Sequence, residues 1–246
     1  MLVVEQVAGT GTPLYLLPGL GCSPSVYHDM LPHLTDDFAV HLLTLAGFGG
    51  TKADTDARVL DAIEVLGTLR GGILVGHSLG GYLALAAAQT YPDAFRGIVI
   101  IDAAPRSPAL RETYSATTRE LGEKFFPNGK LDRDVAAKWI GEMVMSPEHA
   151  ANILDDWTHA DPRVLLEMFF DVRMLSLEIE PARIRIPIHV IVPFESDDRE
   201  RELAAFREAY AGAPHVTFDA IGPARHFVML DQPAATAEAI RRFIQM

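Results

Sequence analysis

One serine stands among glycines in the stretch "GHSLGG" at residues 76–81. An apolar run precedes it, and an alanine-rich, helix-like run follows it. Glycine is typical of any strand-to-helix turn, so an ordinary turn is one interpretation. A Gly-x-Ser-x-Gly turn can also hold a serine so tightly that its hydroxyl projects above a sheet. The chemistry that such a serine performs is nucleophilic attack on a carbonyl carbon.

His226 is the histidine best placed to activate that serine as a general base. A free serine hydroxyl is a weak nucleophile and needs such a base within hydrogen-bond reach. The chain has nine histidines, and most have no motif around them. His226 follows the last predicted strand and precedes the terminal helix, in a loop that opens at the same sheet edge as Ser78. His77 belongs to the strand end, and we interpret it as structural.

Two backbone N–H groups are candidates for an oxyanion hole, which stabilises the negative oxygen that forms on attack. The N–H of Leu79 lies in the first turn of the helix after Ser78, where amides have no helical partner. The N–H of Leu20 lies in "LLPGLG" at 16–21, after an earlier strand. An ordinary strand-to-helix turn is the alternative interpretation of this second loop.

Short apolar or β-branched runs alternate with longer helical patterns along the 246 residues. This alternation predicts an α/β fold, with a mostly parallel central sheet and helices on both faces. The predicted strands are Leu2–Val7, Pro13–Leu17, Phe38–Leu45, Gly72–His77, Gly97–Asp102, Pro187–Val192 and His215–Asp219. The predicted helices are roughly Pro24–Leu34, Thr55–Leu69, Leu79–Thr90, Arg199–Ala211 and Pro233–Ile244.

The alternation breaks between about Ala104 and Arg185, where successive helical patterns occur without a strand. Because the strand pattern then resumes, one inserted segment explains the break better than a separate domain. We therefore predict a core of residues 1–103 and 185–246 and an all-helical cap at 104–184. Aromatic and methionine side chains of the cap either line an apolar pocket or bury the cap on the core, and burial is the better prediction for most of them.

Charge and composition exclude several classes of protein. The net charge of −12 argues against a nucleic-acid partner, because such proteins carry a basic patch. No apolar stretch approaches the roughly 20 residues that span a bilayer. The single cysteine, Cys22, excludes an internal disulfide and forms no zinc pattern. No cofactor motif is present, and the predicted chemistry needs no metal. No signal peptide is visible at Met1, so we expect a cytoplasmic protein unless a leader was removed.

The motifs together resemble the α/β-hydrolase superfamily, in its esterase and lactonase branch. "GHSLGG" resembles the family's nucleophile turn, and "RHFVMLDQPAATAEAIRRFI" resembles its terminal histidine segment. "LLPGLG" resembles the oxyanion loop, with Pro18 where a histidine is usual. "LTLAGFGGT" at 43–51 resembles a further family segment without its usual aspartate. The resemblance covers about residues 13–103 and 185–246 and implies an α/β-hydrolase fold with a helical cap.

The resemblance does not decide which carboxylate orients the histidine. The family usually places it after the strand that follows the cap, where Glu195 and Asp197 lie. Asp197 ranks first, because its separation from His226 is close to the usual one. Some members use the end of the preceding strand, where Asp102 lies, so Asp102 and Glu195 remain alternatives. Each of the three also fits a helix N-cap or a solvated loop carboxylate.

These features predict a serine hydrolase that cleaves a carboxylic ester of a small, apolar substrate through an acyl-enzyme. A lactone, such as an acyl-homoserine lactone, is an alternative substrate, and perhydrolysis with peroxide is an alternative reaction. From a different class of function, some relatives keep the triad and act as slow-turnover receptors for small molecules. Neither the natural substrate nor the oligomeric state is predicted.

Overall fold

Seven strands form one sheet in the part of the chain that this computed structural model describes, residues 2–53, 59–105, 120–174 and 178–245. They are β1 (Leu2–Ala8), β2 (Thr12–Leu17), β3 (Phe38–Leu45), β4 (Gly72–His77), β5 (Phe95–Ile101), β6 (Ile188–Pro193) and β7 (Val216–Ile221). Their order across the sheet is β1-β3-β2-β4-β5-β6-β7. β1 runs antiparallel to β3, and the other neighbouring pairs are parallel. The predicted mostly parallel sheet is confirmed.

Helices connect these strands. The α-helices with defined bounds are α1 (Val59–Leu66), α2 (Leu79–Thr90), α3 (Arg133–Gly141), α4 (Pro147–His159), α5 (Pro162–Met174), α6 (Arg199–Ala209), α7 (Val228–Asp231) and α8 (Pro233–Gln245). Residues 120–125 are also helical. Short 3-10 turns lie at Pro127–Gly129 and Pro181–Arg183. None of the helices described here is long and apolar enough to cross a bilayer.

Two predicted helices differ in detail from the structure. The segment Pro24–His33 is a 3-10 helix with Pro32 inside it, and proline has no N–H to donate to a carbonyl group one α-helical turn earlier. The helix predicted from Thr55 is observed as α1. Its expected first residues, 55–58, lie outside the described part of the chain.

β4 occupies the centre of the sheet, between β2 and β5. All six of its residues are buried, which explains why "GILVGH" is apolar on both faces, as buried parallel strands are. The chain leaves β2 towards β3 on one side and leaves β4 towards β5 on the other. The loops after β2 and β4 therefore diverge at this point, and open α/β sheets place their sites in such a crevice.

Small side chains let α2 lie close to the central strands. Leu83, Ala84 and Ala87 have no exposed surface. A Cβ atom added to Gly81 would lie 2.8 Å from Cβ of Ala103, so the glycine is needed for this close approach. The first turn of α2 is thereby held against the carboxyl ends of β4 and β5.

Helices without a strand fill the described residues between β5 and β6. We name α3, α4 and α5 the inserted helices. Ser146 caps α4 by accepting a hydrogen bond from the N–H of His149, and Pro147 begins the helix, where its missing N–H costs nothing. These helices account for the break in the alternation. The cap boundaries at 104 and 184 stay a prediction, since 106–119 and 175–177 lie outside the described residues.

Candidate active site

Ser78 occupies the junction between β4 and α2 with a positive φ of 52° and a ψ of −115°. A residue with a side chain adopts such a conformation only when its surroundings impose it. The N–H of Ser78 donates to the carbonyl oxygen of Ile101 at 3.0 Å, and the N–H of Tyr82 donates to the carbonyl oxygen of Ser78 at 3.0 Å. β5 and α2 therefore hold the backbone of this strained serine from two sides.

The glycines around Ser78 permit contacts that no larger residue allows. A Cβ atom on Gly76 would lie 2.2 Å from the carbonyl oxygen of Gly80. One on Gly80 would lie 2.3 Å from the carbonyl oxygen of Leu17, at the end of β2. The glycines therefore bring β2, β4 and α2 together beneath Ser78. This favours the tight serine turn over an ordinary connection.

His226 lies between β7 and α7, and its imidazole pairs with Asp102. Nδ1 of His226 lies 2.5 Å from Oδ2 of Asp102, and both side chains are about four-fifths buried, at 21% and 20% exposed. Since an ionised carboxylate only accepts hydrogen bonds, Nδ1 carries the proton and donates it. The lone pair then resides on Nε2, which is the nitrogen that could accept a proton from a hydroxyl.

The structure pairs His226 with Asp102 and not with Asp197, the carboxylate that the sequence ranks first. Asp197 is exposed in the turn before α6. Asp102 directly follows β5, the neighbour of β4, and has a positive φ of 44°. The end of β5 is thus one strand away from Ser78, which brings its carboxylate within reach of the histidine loop.

Glu195, the other alternative, is bound to a different partner. Its Oε1 accepts hydrogen bonds from Nη2 and Nε of Arg225, at 2.7 and 2.9 Å. Arg225 precedes His226, so Glu195 contacts the histidine loop without contacting the imidazole. The ion pair raises the pKa of the Arg225 guanidinium, chiefly through its hydrogen bond to Glu195.

Both predicted oxyanion donors lie next to Ser78. Leu79 is the first residue of α2, and Leu20 lines the same cavity as Ser78 and His226. A Cβ atom on Gly19 would lie 3.2 Å from Cβ of Ser78, so the backbone that leads to Leu20 passes directly beside the serine. The arrangement can therefore present two backbone amides to an oxygen that develops negative charge on attack.

The inserted helices hold the loop that carries Leu20. Oδ2 of Asp156, in α4, accepts a hydrogen bond from the N–H of Ser23 at 2.7 Å. Trp157 packs against Gly21 so closely that a Cβ atom there would lie 2.7 Å from its Cδ1. Asp156 could not be identified from the sequence, because one aspartate on a helical face carries no signal of a contact this far along the chain.

An apolar cavity surrounds the candidate catalytic groups. Its lining includes Trp139, Met143 and Trp157 from the inserted helices and the turn after α3. Its free space for water is about 30 Å³ in the described structure, room for a water molecule or two. Other side chains of the inserted helices, such as Met168 and Phe169, are buried without lining this cavity. Some apolar side chains of the inserted helices therefore line the cavity, and others serve burial alone.

Buried polar groups support the ends of β2 and β5. The hydroxyl of Tyr210 donates to the carbonyl oxygen of Ala103 at 2.8 Å, and that of Tyr27 donates to the carbonyl oxygen of Leu17 at 2.8 Å. Burial raises the pKa of both tyrosine hydroxyls, with a smaller contribution from Asp102 at Tyr210. Both therefore stay protonated donors.

Within the described residues, no group of three or more His, Cys, Asp and Glu side chains is arranged to hold a metal ion.

The fold and the site together define a class of protein. Ser78, Asp102 and His226 occur in this order along the chain and follow the carboxyl ends of β4, β5 and β7, with the serine on a strand-to-helix turn, as in α/β hydrolases. A family model described as "Alpha/beta hydrolase family" matches residues 14–239. The chain therefore belongs to the α/β-hydrolase family.

Relatives with assigned activities include two bacterial esterases. The chain is 27% identical over 260 residues to a pimeloyl-[acyl-carrier protein] methyl ester esterase of Xanthomonas campestris pv. campestris (strain B100), a match that covers 97% of each chain. It is 32% identical over 149 residues to the enzyme of the same name from Stenotrophomonas maltophilia (strain R551-3), a match that spans only 55% of each chain.

A solved structure shares the fold along the whole chain. The thermophilic esterase from Thermogutta terrifontis superimposes with a TM-score of 0.75 at 23% identity, and the match covers 99% of this chain and 93% of that one. At this identity, the likeness supports the fold.

Proposed function

We propose that the protein is a carboxylic ester hydrolase that works through an acyl-enzyme on Ser78. One observation carries this proposal: His226, whose Nδ1 is hydrogen-bonded to Asp102, lines one cavity with the strained Ser78. A structural histidine needs no carboxylate at 2.5 Å and no adjacent nucleophile. The esterase names of the relatives support the same class of reaction.

The first half of the reaction forms the acyl-enzyme. Oγ of Ser78 attacks the ester carbonyl carbon while Nε2 of His226 takes the hydroxyl proton. The N–H groups of Leu20 and Leu79 bind the oxyanion of the tetrahedral intermediate. When the intermediate collapses, the carbon–oxygen bond to the alcohol breaks, and His226 returns the proton to the leaving oxygen.

The second half releases the acid. A water molecule attacks the acyl ester of Ser78, and His226 takes a proton from that water. Collapse of the second intermediate breaks the bond to the serine oxygen, which regains its proton from His226. Asp102 stays ionised throughout, keeps the imidazole in the tautomer with hydrogen on Nδ1, and stabilises its positive charge.

The cavity supports a small, apolar ester as the substrate. Its walls near Ser78 are made largely of apolar side chains, and its free space is small. The relatives' names refer to a methyl ester, which has a small alcohol group. Residues 104–184 would then serve as the cap that shapes the pocket. A cytoplasmic location remains part of this proposal.

Ser78→Ala tests the proposal, with Ser196→Ala as a matched control in an exposed turn. Hydrolysis of a nitrophenyl acetate and labelling by a fluorophosphonate should disappear in Ser78→Ala and persist in Ser196→Ala. Peptide mass spectrometry should place the label on Ser78. Turnover and labelling that survive in Ser78→Ala would refute the proposed nucleophile.

A substrate panel separates the ester from the alternatives. Short nitrophenyl esters, lactones including an acyl-homoserine lactone, and peroxide with a carboxylic acid would each be assayed with wild type and Ser78→Ala. We expect the highest serine-dependent kcat/KM for the esters. A single turnover combined with a large ligand-induced rise in Tm would instead indicate a receptor.

A further inference from the structure

We propose that His77 is a positioning residue for the reaction, because it holds the backbone of His226 so that the imidazole faces Ser78. The role presupposes the serine hydrolase activity proposed above and adds a residue to its machinery. From the sequence alone, His77 is only a structural residue at a strand end. Three sets of contacts carry the inference.

The first contact is a hydrogen bond to the general base itself. Nε2 of His77 lies 3.1 Å from the carbonyl oxygen of His226, 149 positions further along the chain. A carbonyl oxygen only accepts, so Nε2 of His77 carries the proton and donates it. The side chain next to the nucleophile is therefore tied to the backbone of the base.

The second set of contacts is formed by aromatic rings. The ring centroid of His77 lies 4.6 Å from that of His226 and 4.7 Å from that of Phe227. These distances are typical of packed aromatic pairs. The histidine loop thus rests on His77 through two consecutive side chains as well as through the hydrogen bond.

The third contact joins His77 to the oxyanion loop. A Cβ atom on Gly19 would lie 3.0 Å from Nδ1 of His77. That nitrogen is buried and has no hydrogen-bond partner in the described residues, as expected if it carries no proton. His77 has no exposed surface. One fully buried ring therefore touches the loop of the base and the oxyanion loop, and it is covalently joined to the nucleophile.

The surroundings of His77 favour its neutral imidazole. Burial, and then the neighbouring His226, lower the pKa of His77 well below its ordinary value. The ionisable groups around it are His226, with Asp102 behind that ring, and the buried hydroxyl of Tyr27 near its backbone. Because the proposed reaction makes His226 positively charged for a moment, a charged ring 4.6 Å away would oppose that step.

Loss of the donor should lower catalysis more than binding. Nε2 of His226 must point at Ser78, and a displacement of the loop by about 1 Å can cost roughly a hundredfold in rate. The substrate would still enter the same apolar cavity. We expect kcat to fall about tenfold to a hundredfold, while KM changes little.

Three variants separate positioning from packing. His77→Phe keeps a ring and loses the donor. His77→Gln keeps an N–H group near the position of Nε2, whereas in the shorter His77→Asn the amide falls short of the carbonyl group. We expect kcat for a short nitrophenyl ester to fall in His77→Phe and His77→Asn and to be largely restored in His77→Gln. Tm of each variant shows whether it is folded.

A spectroscopic measurement reports on the same loop without turnover. The proton between Nδ1 of His226 and Asp102 should give a resolved low-field NMR signal in the wild type and in His77→Gln. In His77→Phe and His77→Asn, a looser loop should broaden the signal through exchange with water. Wild-type kcat and an unchanged signal in both His77→Phe and His77→Asn would overturn the proposal.

Equal losses of kcat in all three variants, in proportion to their Tm, would also overturn the proposal in favour of packing alone. Ser78→Ala is assayed in parallel. If Ser78→Ala stays active, the proposed function fails. If Ser78→Ala is inactive and His77→Phe is fully active, only the role of His77 fails.

Discussion

The carboxylate of Asp102 lies 2.5 Å from Nδ1 of His226, across 124 positions of the chain. Asp102 follows β5 with a positive φ, and its N–H donates to the carbonyl oxygen of Ile191 in β6 at 3.0 Å. The sheet itself therefore fixes the residue that orients the histidine. A carboxylate on a strand end is anchored more firmly than one in an exposed turn.

Asp102→Asn should lower kcat by roughly three to four orders of magnitude, with little change in KM. The amide can donate to Nδ1 of His226 and so favours the tautomer whose Nε2 already carries a proton. Asp197→Asn is the matched control and should keep the kcat of the wild type, because Asp197 is exposed in the turn before α6. Nitrophenyl acetate kinetics decide the matter: a large loss in Asp197→Asn with an active Asp102→Asn would restore the original ranking.

Arg225→Ala should reduce kcat/KM more than Glu195→Ala. The guanidinium binds Glu195 and also donates to the carbonyl oxygens of Gly141 and Val144, at 3.2 and 3.3 Å. It therefore joins the loop of His226 to the inserted helices, whereas Glu195→Ala removes only the ion pair. Steady-state kinetics on a short and a long ester measure the two losses. A larger effect of Glu195→Ala would contradict this role of Arg225.

Trp139→Ala should shift the preference towards longer acyl chains. The indole lines the small cavity beside Ser78, and its removal leaves space for additional methylene groups. Each newly buried methylene group should raise the relative kcat/KM about fourfold, which corresponds to about 0.8 kcal/mol. Met145→Ala is the control, since Met145 is 47% exposed. An unchanged ratio between hexanoate and acetate esters in Trp139→Ala would show that this wall does not contact the acyl group.

Gly19→Ala should lower kcat by displacing the oxyanion loop. The added methyl group would meet Nδ1 of His77 at 3.0 Å and Cβ of Ser78 at 3.2 Å, and both neighbours are held in place. Loss of one oxyanion donor costs about a hundredfold to a thousandfold in kcat. Gly141→Ala, where a methyl group meets nothing within 4 Å, serves as the control. Full activity of Gly19→Ala would place the oxyanion site elsewhere.

The sequence was sufficient to predict the elements whose physical pattern is local. β3, β4 and α2 were predicted with the bounds that the structure has. β4 is the clearest case, because a buried parallel strand is continuously apolar and a glycine is its first residue. The same reasoning placed Ser78 and His226 at one edge of the sheet, and the structure has both in one cavity.

The choice of carboxylate could not be made from spacing alone. Asp197 has the separation along the chain that the resemblance favours, yet the relevant distance is through space and depends on the turn after β5. The positive φ of Asp102 is a property of the folded backbone and leaves no mark in "IIDAAP". The contacts of His77, Arg225 and Asp156 likewise join segments that are distant along the chain. Neither the periodicity nor the motifs of the sequence predict such contacts.

The protein should become less stable as the pH falls below about 6.5, the ordinary pKa of histidine. Burial lowers the pKa of His77 and of His189, although Asp219 partly opposes the shift at His189. The unfolded chain therefore takes up protons below this pH that the folded chain does not, so stability rises with pH in this window. Tm measured from pH 7.5 down to pH 5.5 should decline.

The variant His189→Gln separates packing from protonation. His189 stacks on Phe243, with ring centroids 5.4 Å apart, so its loss should lower Tm at pH 7.5. The same variant removes one of the titrating groups, so its Tm should decline less as the pH falls. A slope as steep in His189→Gln as in the wild type would assign the acid sensitivity to other groups.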